Sequence, residues 1–158
     1  YYDVIGVDYY DQWEAITNTS QATARFGDST TFGTMNYWLG QARALGKKFA
    51  LTEWGVSSGS QWSGHTGGDN AFYVNYVMDW LAANAADIAV AAYFEEPADY
   101  LDSDITTTAT NPAARSAFQA KVAQYSAGAG STGGGGSTGG STGAPLVSSV
   151  PAARQHAS

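Results

Sequence analysis

Lys48-Phe49-Ala50-Leu51-Thr52-Glu53-Trp54-Gly55 is an apolar run that closes on one carboxylate and a Trp-Gly pair. Lys48 to Glu53 is predicted to be a buried strand, since four to eight mainly apolar residues bounded by turn formers read that way. A carboxylate at the end of a core strand sits at the edge of low dielectric, where it must be hydrogen-bonded, paired or used chemically. At the C-terminal rim of a parallel barrel such a position commonly belongs to an active site. Elsewhere an isolated Glu is more often a solvated strand end, so the flanking sequence has to decide.

Upstream, Val4-Ile5-Gly6-Val7 is a continuous apolar run of the kind found in strands buried on both faces. Asp8 and Tyr10 continue it with period two and should point to one side. Met35, Trp38, Leu39, Ala42 and Leu45 then recur at helical spacing, with Gly46 as the stop. Downstream, a Gly/Ser-rich loop from Gly55 to Gly68 leads to Asp69-Asn70, an N-cap pair, and to Val74, Val77, Met78 and Leu81 on one helix face. Ile88 to Phe94 is a third strand, ending at Glu95-Glu96-Pro97. Asn111 is expected to cap a last helix with Pro112 at its first position and Ala114, Phe118, Val122 and Tyr125 on its buried stripe.

The order β-α-β-α-β-α argues for an α/β fold with a parallel sheet. Three strands cannot cover both sheet edges, and a complete eight-unit barrel needs about 250 residues. The architecture expected is therefore the last three βα units of a TIM (β/α)8 barrel. A small doubly wound sheet is the rival, but it would usually place a Gly-rich phosphate loop after its first strand. Asp8-Tyr9-Tyr10-Asp11 stands there instead.

Folding falls to residues 1 to 125. From Ser126 to Gly143 every residue is Gly, Ser, Thr or Ala, which reads as a flexible linker. Ala144 to Ser158 is then a disordered tail or the stub of a tethered module. The chain opens on strand-like sequence with Tyr1, so an N-terminal part is expected to be missing and an export signal with it. The chain's net charge is -7, and residues 1 to 125 hold all of its fourteen acidic side chains and six of its seven basic ones, which disfavours nucleic acid and anionic membranes. No apolar stretch approaches the roughly 20 residues of a membrane span. Without cysteine there is no disulfide or thiolate metal site, and two histidines at no usable spacing suggest neither metal nor cofactor.

If the strands are neighbouring staves, their C-terminal ends bring Asp8, Tyr10, Glu53, Trp54, Tyr93, Phe94 and Glu95 to one rim. Glu53 is expected on the side of Phe49 and Leu51, with the Tyr10 phenol donating a hydrogen bond that orients it and favours its ionised form. An ionised carboxylate among aromatics fits retaining glycoside hydrolysis, in which it attacks the anomeric carbon while a protonated partner roughly 5 Å away assists the leaving group. Packing accounts equally well for each of Tyr10, Tyr93 and Phe94 taken alone. The loop carrying Trp62, His65 and Asp69 could line a sugar subsite or be a solvated loop ending in a helix cap.

Tyr1 to Tyr10, the Leu51-Thr52-Glu53-Trp54-Gly55 strand end, and Gly67-Gly68-Asp69-Asn70 before a helix resemble the C-terminal part of glycoside hydrolase family 26, over about residues 1 to 125. That family, dominated by endo-β-1,4-mannanases, belongs to a large clan of (β/α)8 retaining hydrolases. The resemblance implies strands six, seven and eight at Val4 to Tyr10, Lys48 to Glu53 and Ile88 to Phe94. It implies Glu53 as nucleophile and Tyr10 as the tyrosine that hydrogen-bonds to it. Phe94, or else Tyr93, falls where the family usually has a tryptophan platform. The acid/base glutamate, on strand four and usually after a His, is outside this sequence, so the fragment alone is expected to be inactive. Glu95 and Glu96 are the only local candidates to replace it and read as rim residues. The implied protein is secreted and acts on a plant-type polysaccharide. A non-catalytic carbohydrate-binding or scaffold protein, or a β-glucanase or xylanase of the same clan, is the alternative.

Overall fold

Lys48–Gly55 is β2, the second of four parallel strands in the computed structural model, which describes residues 1–106, 110–130 and 147–151. With β1 (Val4–Tyr10), β3 (Ile88–Glu95) and β4 (Val147–Pro151) it forms a sheet in chain order. Parallel neighbours need long crossovers, and α1 (Thr19–Phe26), α2 (Met35–Ala44), α3 (Ala71–Ala83) and α4 (Pro112–Gly130) supply them. The fold is α/β with a small parallel sheet. Two features depart from the organisation expected of the C-terminal third. Helix α4 continues into the stretch read as linker, and β4 pairs with β3 inside the stretch read as a tail. Residues 131–146 and 152–158 lie outside the described residues.

Helix α1 was not expected. Asn18 caps it, accepting from the Gln21 backbone N–H, while Gln21 Oε1 reaches back to the Thr17 N–H. Thr34 Oγ1 caps α2 by accepting from the Tyr37 N–H at 3.2 Å. Gly46, at φ 63°, ends it in the left-handed conformation that glycine adopts without cost. The Asp69-Asn70 pair divides its work. Asn70 Oδ1 accepts from Tyr73 N–H at the start of α3, whereas the Asp69 carboxylate crosses to α4 and accepts from the N–H groups of Ala113 and Ala114. A carboxylate there also complements the positive end of the helix dipole. Asn111, expected in that capping role, instead donates its amide to the carbonyls of Asp102 and Asp104.

One apolar cluster joins sheet to helices. Ile5, Val7 and Tyr9 of β1, Phe49, Leu51 and Trp54 of β2, and Ile88, Ala91 and Tyr93 of β3 enter it with the inner faces of all four helices. Ala114 and Phe118 of α4 belong to it, but Val122 is exposed, as is Leu45 beyond α2. The opposite sheet face, with Val4, Gly6, Asp8 and Thr52, is open.

A β-bulge decides which side chains reach that open face. Val7 pairs with Leu51 but Asp8 pairs with Glu53, leaving Thr52 as the extra residue. An unpaired residue shifts the alternation of every side chain beyond it. Glu53 is thereby placed with Tyr10 on the open face rather than with Phe49 and Leu51, contrary to a strict period of two. Trp54 returns to the core.

Trp54 is 0% exposed and sits edge-on to Tyr93 at 5.0 Å and beside Tyr73 and Phe118. Its indole N–H has no acceptor among the described residues, so packing alone holds it. Trp54→Ala should cost about 3–5 kcal/mol, the usual range for a buried large aromatic. Urea unfolding checks this; a loss below about 1 kcal/mol would contradict the core placement.

Candidate active site

β1 and β2 end side by side, and there the Tyr10 hydroxyl donates to Glu53 Oε2 at 2.8 Å. Burial first, then the hydrogen bond to Glu53 and the charges of Glu53 and Asp8, push the Tyr10 pKa far up. Tyr10 therefore stays a phenol at any working pH and is the donor toward the Glu53 carboxylate. Among the described residues no hydrogen bond reaches Glu53 Oε1. Glu53 is thus fixed through one oxygen, while the other is available to an electrophile.

Two further groups shape this corner. Thr52 Oγ1 lies 2.9 Å from the Val7 carbonyl and 2.6 Å from Asp8 Oδ1, so the bulged residue itself anchors Asp8 beside the Tyr10–Glu53 pair. Gly6 leaves room for it, since a Cβ there would come within 2.8 Å of Thr52 Cγ2. Phe94, half-buried at the end of β3, meets the Tyr10 ring edge-on at 6.2 Å. Asp8, Tyr10, Glu53 and Phe94 accordingly share one region at the strand ends.

Of four other residues expected at this rim, two are core and two are tied to the loop after β3. Trp54 is core. Tyr93 is also fully buried, and its hydroxyl donates to the Ser103 carbonyl at 2.9 Å, which ties β3 to the returning loop. Glu95 Oε1 accepts from the backbone N–H groups of Ile105 and Thr106. Glu96 accepts from Ala98 N–H and from the Tyr100 hydroxyl. Both glutamates thus hold the loop after β3, Glu95 through Oε1 and Glu96 through both oxygens. Tyr100 went unnoticed in the sequence; it is exposed, and its pKa is raised by burial, by Glu96 and also by the charge of Glu53, which locates it near the corner.

Trp62 and His65 do come together, with a third ring the sequence did not single out. Trp13 stacks on His65 at 4.6 Å and lies 5.4 Å from Trp62. The only hint was an indole inside the polar run Asp11-Gln12-Trp13-Glu14. The loop after β1 is stitched to the loop after β2 by Trp13 N–H to the His65 carbonyl and by a bridge between Gln12 and Thr66.

Beneath those loops Asp11 is buried. Its Oδ1 accepts from Ile16 N–H at 2.7 Å and its Oδ2 from the Asn70 amide at 2.6 Å. The same amide donates to the Ile16 carbonyl, and a Cβ on Gly67 would overlap Asp11 Oδ2. The clamp therefore needs glycine at 67 and locks three segments together. Among the described residues no group of three His, Asp or Glu is placed to hold a metal, and no helix is long and apolar enough to cross a membrane. Comparisons of this chain with protein-family models, with curated proteins and with solved structures gave no match. The class that stands is a parallel α/β chain with a tyrosine-bound carboxylate at its strand ends.

Burial raises the Asp11 pKa, and its two hydrogen bonds and Arg25 offset only part of that. The folded chain therefore takes up a proton at a higher pH than the unfolded one, whose Asp titrates near 3.8. In urea titrations from about pH 7 to about pH 4, the native chain should gain stability relative to Asp11→Asn as pH falls, levelling below 3.8. A difference independent of pH would contradict the buried-carboxylate assignment.

Proposed function

We propose that this chain is part of a retaining β-glycanase, an endo-β-1,4-mannanase by its resemblance to glycoside hydrolase family 26, with its sheet a segment of a (β/α)8 barrel. The observation that carries the reading is the 2.8 Å Tyr10–Glu53 hydrogen bond on an open sheet face at strand C-termini. Helices that pack in one cluster against a single face of a parallel sheet also support a barrel segment, because a doubly wound sheet is covered on both.

In this mechanism Glu53 Oε1 attacks the anomeric carbon as the glycosidic C–O bond breaks. The leaving oxygen takes a proton from a carboxylic acid about 5 Å away. Water, deprotonated by the same group, then attacks the glycosyl ester, releasing the sugar with its configuration retained and Glu53 ionised again. By the resemblance the acid is the strand-four glutamate of the family, while Glu95 and Glu96 serve the loop after β3. Tyr10, always protonated, keeps Oε1 aimed and stabilises the departing carboxylate in the second step. Phe94 offers an apolar ring beside the reacting sugar, and Asp8 an acceptor for a hydroxyl group. The substrate is a neutral plant-type polysaccharide and the enzyme is secreted.

Glu53→Gln in the active enzyme should lower turnover by about 10⁴-fold or more while polysaccharide binding persists. Tyr10→Phe, which removes one hydrogen bond to a charged group worth about 1.5–3 kcal/mol, should lower kcat by roughly 10- to 100-fold. Near-native hydrolysis by Glu53→Gln would overturn the assignment.

A further inference from the structure

Trp13 and Glu14 adopt φ of 54° and 85°, the left-handed region that bulky residues avoid. Such residues cost on the order of 1–3 kcal/mol each and persist only where the surroundings enforce them. Arg25 does so here. Its Nη1 donates to the Trp13 carbonyl at 2.6 Å, its Nη2 to the Gln12 carbonyl and its Nε to the Tyr9 hydroxyl, with the guanidinium over the Tyr9 ring. The result is an indole that is 52% exposed, held against His65 and Trp62 rather than folded into the core.

Trp13 is three positions beyond Tyr10, so their Cα atoms lie within about 11 Å. The loop that carries the ring cluster therefore starts at the Tyr10–Glu53 pair. Its chemistry selects the occupant. The rings offer flat apolar faces, and the chain carries net charge -7, which repels polyanions. A neutral pyranose has an apolar C–H face that packs on such rings, and a polymer of them can extend from one site to the next.

We propose that Trp13, with Trp62 and His65, forms a stacking subsite for a neutral β-linked polysaccharide, set in the loops that follow β1 and β2. This rests on the reading of Glu53 as a glycanase nucleophile and adds a residue to substrate binding. Arg25 is its positioning residue.

Native gels cast with soluble β-mannan, β-glucan or β-xylan provide the test, run on the full chain. The native chain should be retarded by at least one polymer, and Trp13→Ala or Trp62→Ala should weaken that binding by about tenfold. Trp13→Phe should restore most of it. Circular dichroism identifies any variant that fails to fold. Native-like binding by folded Trp13→Ala and Trp62→Ala would overturn the subsite and leave the role of Glu53, read by turnover, untouched. No retardation of the native chain by any of the three polymers would overturn it too. So would self-association abolished by Trp13→Ala, which assigns the rings to a second copy.

Discussion

The geometry of the strand ends depends on one irregularity, the unpaired Thr52 in β2. A regular strand would turn Glu53 into the cluster formed by Phe49, Leu51 and the helices, where an unpaired carboxylate is costly. With the bulge, Glu53 meets the Tyr10 hydroxyl and Trp54 takes its place in the core. The same residue steadies the feature it creates, because its hydroxyl reaches both the Val7 carbonyl and Asp8. Bulges re-aim side chains next to functional sites in many sheets, and here one local slip supplies both a packed indole and a displayed carboxylate.

Around that corner, polar groups are spent on fixing loops. Glu95 and Glu96 hold the backbone after β3, Asp69 caps α4, and Asp11 with Asn70 clamps the loops after β1 and β2. A buried carboxylate is tolerable at 11 because each oxygen has a donor. The contrast with Glu53 is chemical. Glu53 fixes no backbone among the described residues: its one hydrogen bond comes from the Tyr10 side chain, and it lies on the open face of the sheet.

Much of this was legible in the sequence, for physical reasons. Continuous apolar runs gave the first three strands, and the spacing of Met35, Leu39 and Ala42 or of Val74, Val77 and Leu81 gave α2 and α3. The pairing of Tyr10 with Glu53 could be anticipated because both end adjacent parallel strands. The bulge could not, since period two carries no sign of an inserted residue. That one missing fact put Trp54 at the rim and Glu53 on the wrong face. Helix α1 was overlooked although Asn18 and Gln21 are spaced as a capping box. Capping of α4 by Asp69 rather than Asn111 is a contact between distant segments, beyond any local pattern. Trp13 was invisible because its exposure comes from backbone strain that Arg25 enforces from another element.

The central claim is that Glu53 bonds covalently to the sugar. A 2-deoxy-2-fluoro-β-mannoside carrying a dinitrophenolate leaving group, which departs without acid assistance, tests it when the inactivated enzyme is digested and its peptides weighed. The account expects a fluorosugar ester on the peptide containing Glu53, absent when that residue is glutamine. An ester on a different carboxylate, or turnover to product of inverted configuration with no ester at all, would contradict it.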